Sequence, residues 1–249
     1  MLIQVIPVRI SADVKPHDEL DAIILGAIRQ NHIEIQDGDV LVVAHKIVSK
    51  AEGRIVDLAE VRPSSKAIKM AKEHCKDPRI MELILKESTQ ILRAQKGIIV
   101  SETKHGLVCA NAGVDQSNVH GDAAVLLPVD PDKSSSRLKD AVKKIEGKEI
   151  AVIITDTFGR PFRNGQTNVA IGVAGISPIR SYIGSRDMYG RKMRVSEIAV
   201  ADEIASAAEL VMGKAEGVPA AIIRGYKFEK AEKSSARSLH RSKSLDLFR

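Results

Sequence analysis

Ile153 to Gly175 reads IITDTFGRPFRNGQTNVAIGVAG, an apolar run that stops at Asp156-Thr157 and gives way to Gly, Arg, Asn and Gln. Ala151 to Ile154 is short and β-branched, which predicts a buried strand whose C-terminal end presents a carboxylate and a hydroxyl side by side. The residues beyond it predict a polar loop. Val169 to Gly175 is small and apolar, suited to a tightly packed strand or helix that lets backbone approach a ligand. Hard oxygens placed like those of Asp156 and Thr157 suit Mg²⁺ or Mn²⁺, and Arg160 and Arg163 suit phosphate oxygens. The plainer reading is a polar turn with a solvent-facing arginine pair.

Toward the N-terminus, Leu138, Ala141, Val142 and Ile145 mark a helix ended by Gly147, and Ala124 to Leu127 predicts a strand. Gly97 to Cys109 predicts a hairpin turning at Lys104-His105-Gly106. Ser64 to Cys75 and Pro78 to Glu87 predict helices, the second with Pro in its first turn. Before them, the turn Asp37-Gly38-Asp39 leads into a buried strand, Val40 to Val43, that delivers His45 and Lys46. Leu20, Ile23, Ile24, Ala27 and Ile28 recur at helical spacing after an opening strand, Leu2 to Val8. On the other side, Ser196 to Met212 predicts a long helix, followed by Gly213-Lys214 and a last strand, Ala220 to Ile223. No internal repeat is visible. Strands and helices do not alternate regularly, and no GxGxxG opens a helix after the first strand. The pattern therefore favours an α+β fold with mixed or antiparallel sheets over a doubly wound one.

Composition narrows the function classes. The 249 residues are 44% hydrophobic but include no Trp, three Tyr and four Phe, so aliphatic side chains fill the core and few rings are available to stack bases. Of the net charge of +6, residues 229–249 carry +3 with six Lys/Arg against three acids, which leaves the rest of the chain nearly balanced. That distribution argues against a nucleic-acid partner, although a nucleic-acid-binding module remains the alternative from a different class. Cys75 and Cys109 belong to no CxxC pair and read as free thiols in a reducing compartment. The N-terminus lacks a signal h-region and no run approaches the ~20 apolar residues of a bilayer span, which predicts a soluble, cytoplasmic protein without a membrane partner.

Other constellations could join Asp156. The loop NAGVDQSN, Asn111 to Asn118, offers Asp115 as a second metal ligand and Asn118 as a directional hydrogen-bonding group, or else satisfies its own backbone. His45, Lys46 and Lys50 follow a buried strand and could meet phosphate, though solvated lysines are commoner. Met212-Gly213-Lys214-Ala215-Glu216-Gly217-Val218-Pro219 could fold over a nucleotide or serve only as a helix stop and turn. Gly184 to Arg191 could hold an acidic substrate or form a solvated hairpin tip.

Several of these pieces occur together in order: KIVSKAEGRIVDL (46–58), CANAGVDQSN (109–118), TDTFGRPFRNGQTNVAIGVAG (155–175), RDMYGR (186–191), ADEIASAAELVMGKAEGVP (201–219) and the closing DLFR. Together they resemble the coenzyme F-420-0:L-glutamate ligases, over essentially the whole chain. The resemblance implies a single γ-glutamyl ligase unit over residues 1–249, with an unusual two-lobed, intertwined α+β fold and a basic tail, 229–249, packed back onto it. It implies a homodimer that uses GTP to attach L-glutamate to the deazaflavin coenzyme precursor, then adds a second glutamate through a γ-linkage, with release of GDP and phosphate. Mg²⁺ or Mn²⁺, as two ions, and K⁺ are the implied cofactors. A related nucleotide-dependent carboxylate–amine ligase with another acceptor is the alternative.

By the same resemblance Asp115, Asp156 and Thr157 are metal ligands, with Glu216 the nearest oxygen donor in the glycine-rich loop, because Lys214 has no oxygen to offer. Asp115, Asp156, Thr157 and Arg160 form the catalytic set. His45, Lys46, Lys50, Asn118 and Met212 to Pro219 match nucleotide-binding segments. Ser11 and Asp13 match a fourth segment by position, although RISADVK replaces the family's Gly-Leu-Pro-like sequence there. Arg163, Asn164, Arg186, Asp187, Tyr189 and Arg191 are the candidates for substrate binding.

Overall fold

A computed structural model describes residues 2–95 and 97–248. In chain order the elements are β1 (Gln4–Val8), α1 (Leu20–Gln30), β2 (Val40–Ala44), α2 (His45–Ala51), β3 (Ile55–Asp57), α3 (Ser65–His74), α4 (Pro78–Glu87), β4 (Ser88–Gln95), β5 (Ile98–Thr103), β6 (Val108–Ala110), β7 (Ala123–Val125), α5 (Pro131–Glu146), β8 (Ala151–Arg160), β9 (Arg163–Ala174), β10 (Arg180–Ser181), β11 (Glu197–Ile198), α6 (Val200–Met212) and β12 (Ala220–Arg224). The fold is α+β. Its main sheet has the order β1-β12-β2-β8-β9, antiparallel throughout except for the parallel pair β2 and β8.

Strand alternation divides the side chains of this sheet between two cores. Leu41, Val43, Val152, Ile154, Ala220 and Ile222 face α1 and α5, whereas Val40, Val42, Ala151, Ile153, Ala221 and Ile223 face α6. Because both faces are covered, the central strands carry the unbroken apolar runs that made them legible. A third core gathers Leu58, Ala67, Ile80, Met81, Ile84 and Ile99 where α3 and α4 meet the three-stranded sheet β4-β5-β6 and the β3–β7 pair. The helix α5 starts at Pro131, its cap Asp130 accepts the Lys133 N–H at 3.0 Å, and left-handed Gly147 stops it.

Three expectations are corrected. The segment after Asp156 is no loop: β8 runs on to Arg160 and pairs with β9, placing Asp156 opposite Val169 and Thr157 opposite Asn168. The outer half of this hairpin is exposed and held by its backbone ladder, so no apolar alternation announces it. The last long helix begins at Val200, because Glu197–Ile198 pairs with Arg180–Ser181. His45 to Ala51, which the sequence left without an element, is the short helix α2.

The pairing of β8 with β9 shifts register just before the site. Ile154 faces Gly172, but Thr155 faces Ala170, which leaves Ile171 as an extra residue. Such a bulge bends the strand and re-aims the side chains beyond it. The Ala170 N–H is taken by Asp202 Oδ1 of α6 at 2.9 Å. Burial raises the Asp202 carboxyl above its ordinary value, partly opposed by that bond.

In the tail, Ser235 Oγ and the Ala236 N–H donate to Asp132 at the start of α5, at 2.6 and 3.0 Å, and Ala236 is buried. Beyond it, Leu245, Leu247 and Phe248 are exposed, Phe248 lying 5.6 Å from exposed Phe162 at the tip of the β8–β9 hairpin. Arg249 lies outside the described residues. Both cysteines are free. No helix among the described residues is long and apolar enough to cross a membrane.

Candidate active site

β2 and β8 run parallel and end together, so Ala44 is opposite Thr155 and both strands release polar residues at the same edge. There β2 turns directly into α2. The strand places His45 next to Asp156, with Nε2 3.2 Å from Oδ1, and one helical turn puts Lys46 and Lys50 on a common face. Lys46 Nζ lies 2.6 Å from Asp115 Oδ2 and 2.5 Å from Ser117 Oγ. Lys50 Nζ lies 3.1 Å from Asp13 Oδ1 in the N-terminal loop. Asp115 is anchored through a backbone pair with Val125 of β7, and its carboxylate accepts from the Ser117 N–H and Oγ at 2.8 and 2.9 Å.

The glycine-rich loop after α6 closes the other side. Its backbone accepts from Ile10 N at Gly217 and from Ala44 N at Pro219, at 3.1 and 2.8 Å, and Arg9 Nη1 reaches the Glu216 carbonyl at 3.1 Å. Asn118 Nδ2 donates to the Lys214 carbonyl at 3.4 Å, and Lys214 Nζ donates to Thr157 Oγ1 at 2.5 Å. Thr157 Oγ1 in turn donates to Asn168 Oδ1 across the hairpin at 2.8 Å.

These segments enclose a cavity of about 520 Å³. Its lining contains Asp13, His45, Lys46, Lys50, Asp115, Asn118, Asp156, Thr157, Met212, Gly213, Lys214, Ala215, Gly217, Val218 and Pro219. Residues drawn from five separated sequence segments thus meet at one site. Ser11 and Glu216 are outside the lining. The Glu216 carboxylate folds back on its own loop to accept the Ala215 N–H at 2.8 Å, a bond that holds its pKa below the usual carboxylate range.

Arg160, expected in the catalytic set, and the candidate substrate residues are also outside the lining. Arg160 closes the hairpin tip by donating to the Asn164 carbonyl at 2.6 Å, with Arg163 and Asn164 exposed beside it. In the loop 184–191, Asp187 Oδ1 accepts the Tyr189 and Arg191 N–H groups at 2.9 and 2.8 Å, and Arg186 Nη1 donates to the Gly190 carbonyl at 2.7 Å. That loop is a solvated, self-closed tip.

Ser117, Gln166 and Asn168 also line the cavity, and nothing in their spacing singles them out within the motifs that contain them. Asn168 becomes recognisable only once the β8–β9 register sets it across from Thr157, and Ser206 Oγ fixes its backbone by donating to the Asn168 carbonyl at 2.8 Å.

Burial works against ionisation of Asp156, but the His45 imidazole, the Thr157 N–H at 2.6 Å and the Lys46 charge prevail and hold its carboxyl below the ordinary value. At Asp115, burial is likewise outweighed by Lys46 and the Ser117 donors. Both groups are therefore carboxylates at neutral pH, as a hard dication requires. Among the described residues no three His, Cys, Asp or Glu side chains form a ready-made metal cluster. Two carboxylates still fit Mg²⁺ or Mn²⁺, which characteristically take one or two protein carboxylates and complete their shell with substrate phosphates and water. Cys109 is not part of this chemistry: burial and then the Asp156 charge push its thiol up to about 12.

Residues 9–225 match the family model described as F420-0:Gamma-glutamyl ligase. The chain is 49% identical over 234 residues to the coenzyme F420:L-glutamate ligase of Methanothermobacter thermautotrophicus, with 93% of each chain covered. It is 45% identical to that of Methanopyrus kandleri, covering 98% of this chain and 96% of the other, and 39% identical to that of Archaeoglobus fulgidus, covering 100% and 97%. A match of this extent, reaching every segment that lines the cavity, makes the chain a member of the F420-0:gamma-glutamyl ligase family, enzymes that form carbon–nitrogen bonds.

Proposed function

We propose that the protein joins L-glutamate to the deazaflavin coenzyme precursor F420-0 at the expense of GTP, and then adds a second glutamate through a γ-linkage. The observation that carries this reading is the convergence of Asp115, Asp156, three lysines and a glycine-rich loop on one cavity. A carboxylate is a poor acyl donor at neutral pH, so amide formation from it requires activation. In the proposed sequence a carboxylate oxygen of the acceptor attacks the terminal phosphorus of GTP, the bridging P–O bond breaks and GDP leaves. The glutamate amine then attacks the acyl phosphate, the C–N bond forms, and phosphate departs as the amine loses its proton.

A Mg²⁺ or Mn²⁺ ion held by Asp115 and Asp156 would neutralise phosphate charge and align the triphosphate. Lys46 and Lys50 supply point charges from α2, and the loop 212–219 lines the nucleotide space. K⁺ as an accessory ion and a homodimeric assembly belong to the same proposal and rest on the family resemblance.

The test is direct. Purified protein incubated with GTP, Mn²⁺, L-glutamate and F420-0 should yield coenzyme carrying one and then two glutamyl units by mass spectrometry. Product that forms equally well without GTP, or a folded protein that adds no glutamate, would overturn the proposal.

A further inference from the structure

Thr157 is one of four oxygen donors in the candidate metal set, with Asp115, Asp156 and Glu216, yet its hydroxyl is already engaged on both sides. Oγ1 gives its proton to Asn168 Oδ1 at 2.8 Å and receives the Lys214 ammonium at 2.5 Å. A dication seeking that oxygen would have to displace the ammonium or lie against it. Two features hold Lys214 there. The Lys214 carbonyl accepts from Asn118 at 3.4 Å, and the ammonium lies 3.8 Å from Glu209 Oε1 at the end of α6. Asp115 and Asp156 are also paired, with Lys46 and His45 from α2, but each brings a full negative charge to hold a dication, which the neutral Thr157 hydroxyl does not.

We propose that this site takes a single divalent ion, at Asp115 and Asp156, and that the Lys214 ammonium on Thr157 supplies the second positive charge facing the nucleotide phosphates. Lys214 is thus a phosphate-binding residue in its own right, and not merely part of the loop's backbone. A lysine suits that position because it is a compact point charge on a flexible stem and needs no ligand oxygen from the loop. The inference rests on the nucleotide reading above.

Equilibrium dialysis of the full chain against Mn²⁺ and guanosine 5′-(β,γ-imido)triphosphate, with both counted per chain, tests it without turnover. The wild type should retain one Mn²⁺ per bound analogue, and so should Lys214→Arg. Lys214→Gln removes the charge and puts an oxygen on the loop, so it should retain two. At limiting Mn²⁺, Lys214→Gln should also bind the analogue on the order of tenfold more weakly, as expected for loss of one charge-assisted contact. A wild-type count of two, or a Lys214→Gln count that stays at one, overturns the proposal while leaving the nucleotide reading intact. Failure of the folded wild type to retain the analogue at all would sink the nucleotide reading and this inference with it.

Discussion

Asp156 combines partial burial of its carboxylate with an ionised state, and its neighbours explain how. The His45 imidazole at 3.2 Å and the Thr157 N–H at 2.6 Å replace lost water, and Lys46 adds a longer-range charge. Asp156→Asn keeps the volume and a hydrogen-bonding oxygen but removes the charge. On the proposed metal role it should cut glutamate addition by more than ~100-fold, since losing a direct ligand would outweigh losing an outer-shell partner, while far-UV circular dichroism stays native. Linkage adds a pH signature. A folded-state pKa below the unfolded value of 3.8 contributes stability that is present above pH 3.8 and lost as pH falls through the folded value. In metal-free urea titrations the wild type should exceed Asp156→Asn at neutral pH, with the gap closing below that point. A variant that turns over like wild type would remove the metal from Asp156. The place of Asp156 and Thr157 at the cavity is legible in the sequence, where an apolar run gives way to polar residues. The Lys214–Thr157 contact is not, because 57 residues separate the pair and only the folded loop between α6 and β12 brings them together.

At the scale of elements, what proved legible follows burial. The central strands carry apolar runs because both faces are covered, α4 announces itself by the proline in its first turn, and α5 by its apolar spacing and closing Gly147. The helix α2 escaped because its cap position is Ala44, which offers no side-chain acceptor, and its seven residues include β-branched Ile47 and Val48. The β8–β9 hairpin escaped because its outer half meets water on both faces. The small apolar run in β9 was read as a place for close backbone approach, and that approach is real but structural. A Cβ on Gly172 would collide with the carbonyl of Pro131, where α5 begins against the sheet. Gly172→Ala must therefore push α5 away from β9 or bend the strand beside the bulge, at a cost of about 1–3 kcal/mol. The effect should appear as a lower urea midpoint with an unchanged m-value. An unchanged midpoint would mean that α5 does not pack this tightly.

The whole molecule raises the question of what the basic tail does. Composition alone makes residues 229–249 a candidate for disorder, whereas the family resemblance has them packed. The structure divides the segment. Ala236 is only 2% exposed and joins the α6-side core, while Ser235 and Ala236 satisfy Asp132, which otherwise keeps only the Val173 N–H at 2.9 Å. That carboxylate thereby ties three parts of the chain together: α5, β9 and the tail. Past His240 the apolar side chains Leu245, Leu247 and Phe248 are exposed and contribute little burial within the protomer. Two truncations separate these halves. A chain ending at residue 234 loses two hydrogen bonds to a charged group along with the buried Ala236. Taking 2–3 kcal/mol for that loss and 2–4 °C per kcal/mol for a chain of this size, its Tm should fall by about 5–10 °C. A chain ending at residue 241 keeps the Asp132 contacts and should melt within ~2 °C of the full protein. If the shorter chain melts like the full protein, Asp132 is satisfied without the tail and the segment adds nothing to the fold. If the chain ending at residue 241 also melts early, the exposed Leu245–Phe248 end must be buried in solution, against a surface that one protomer does not contain.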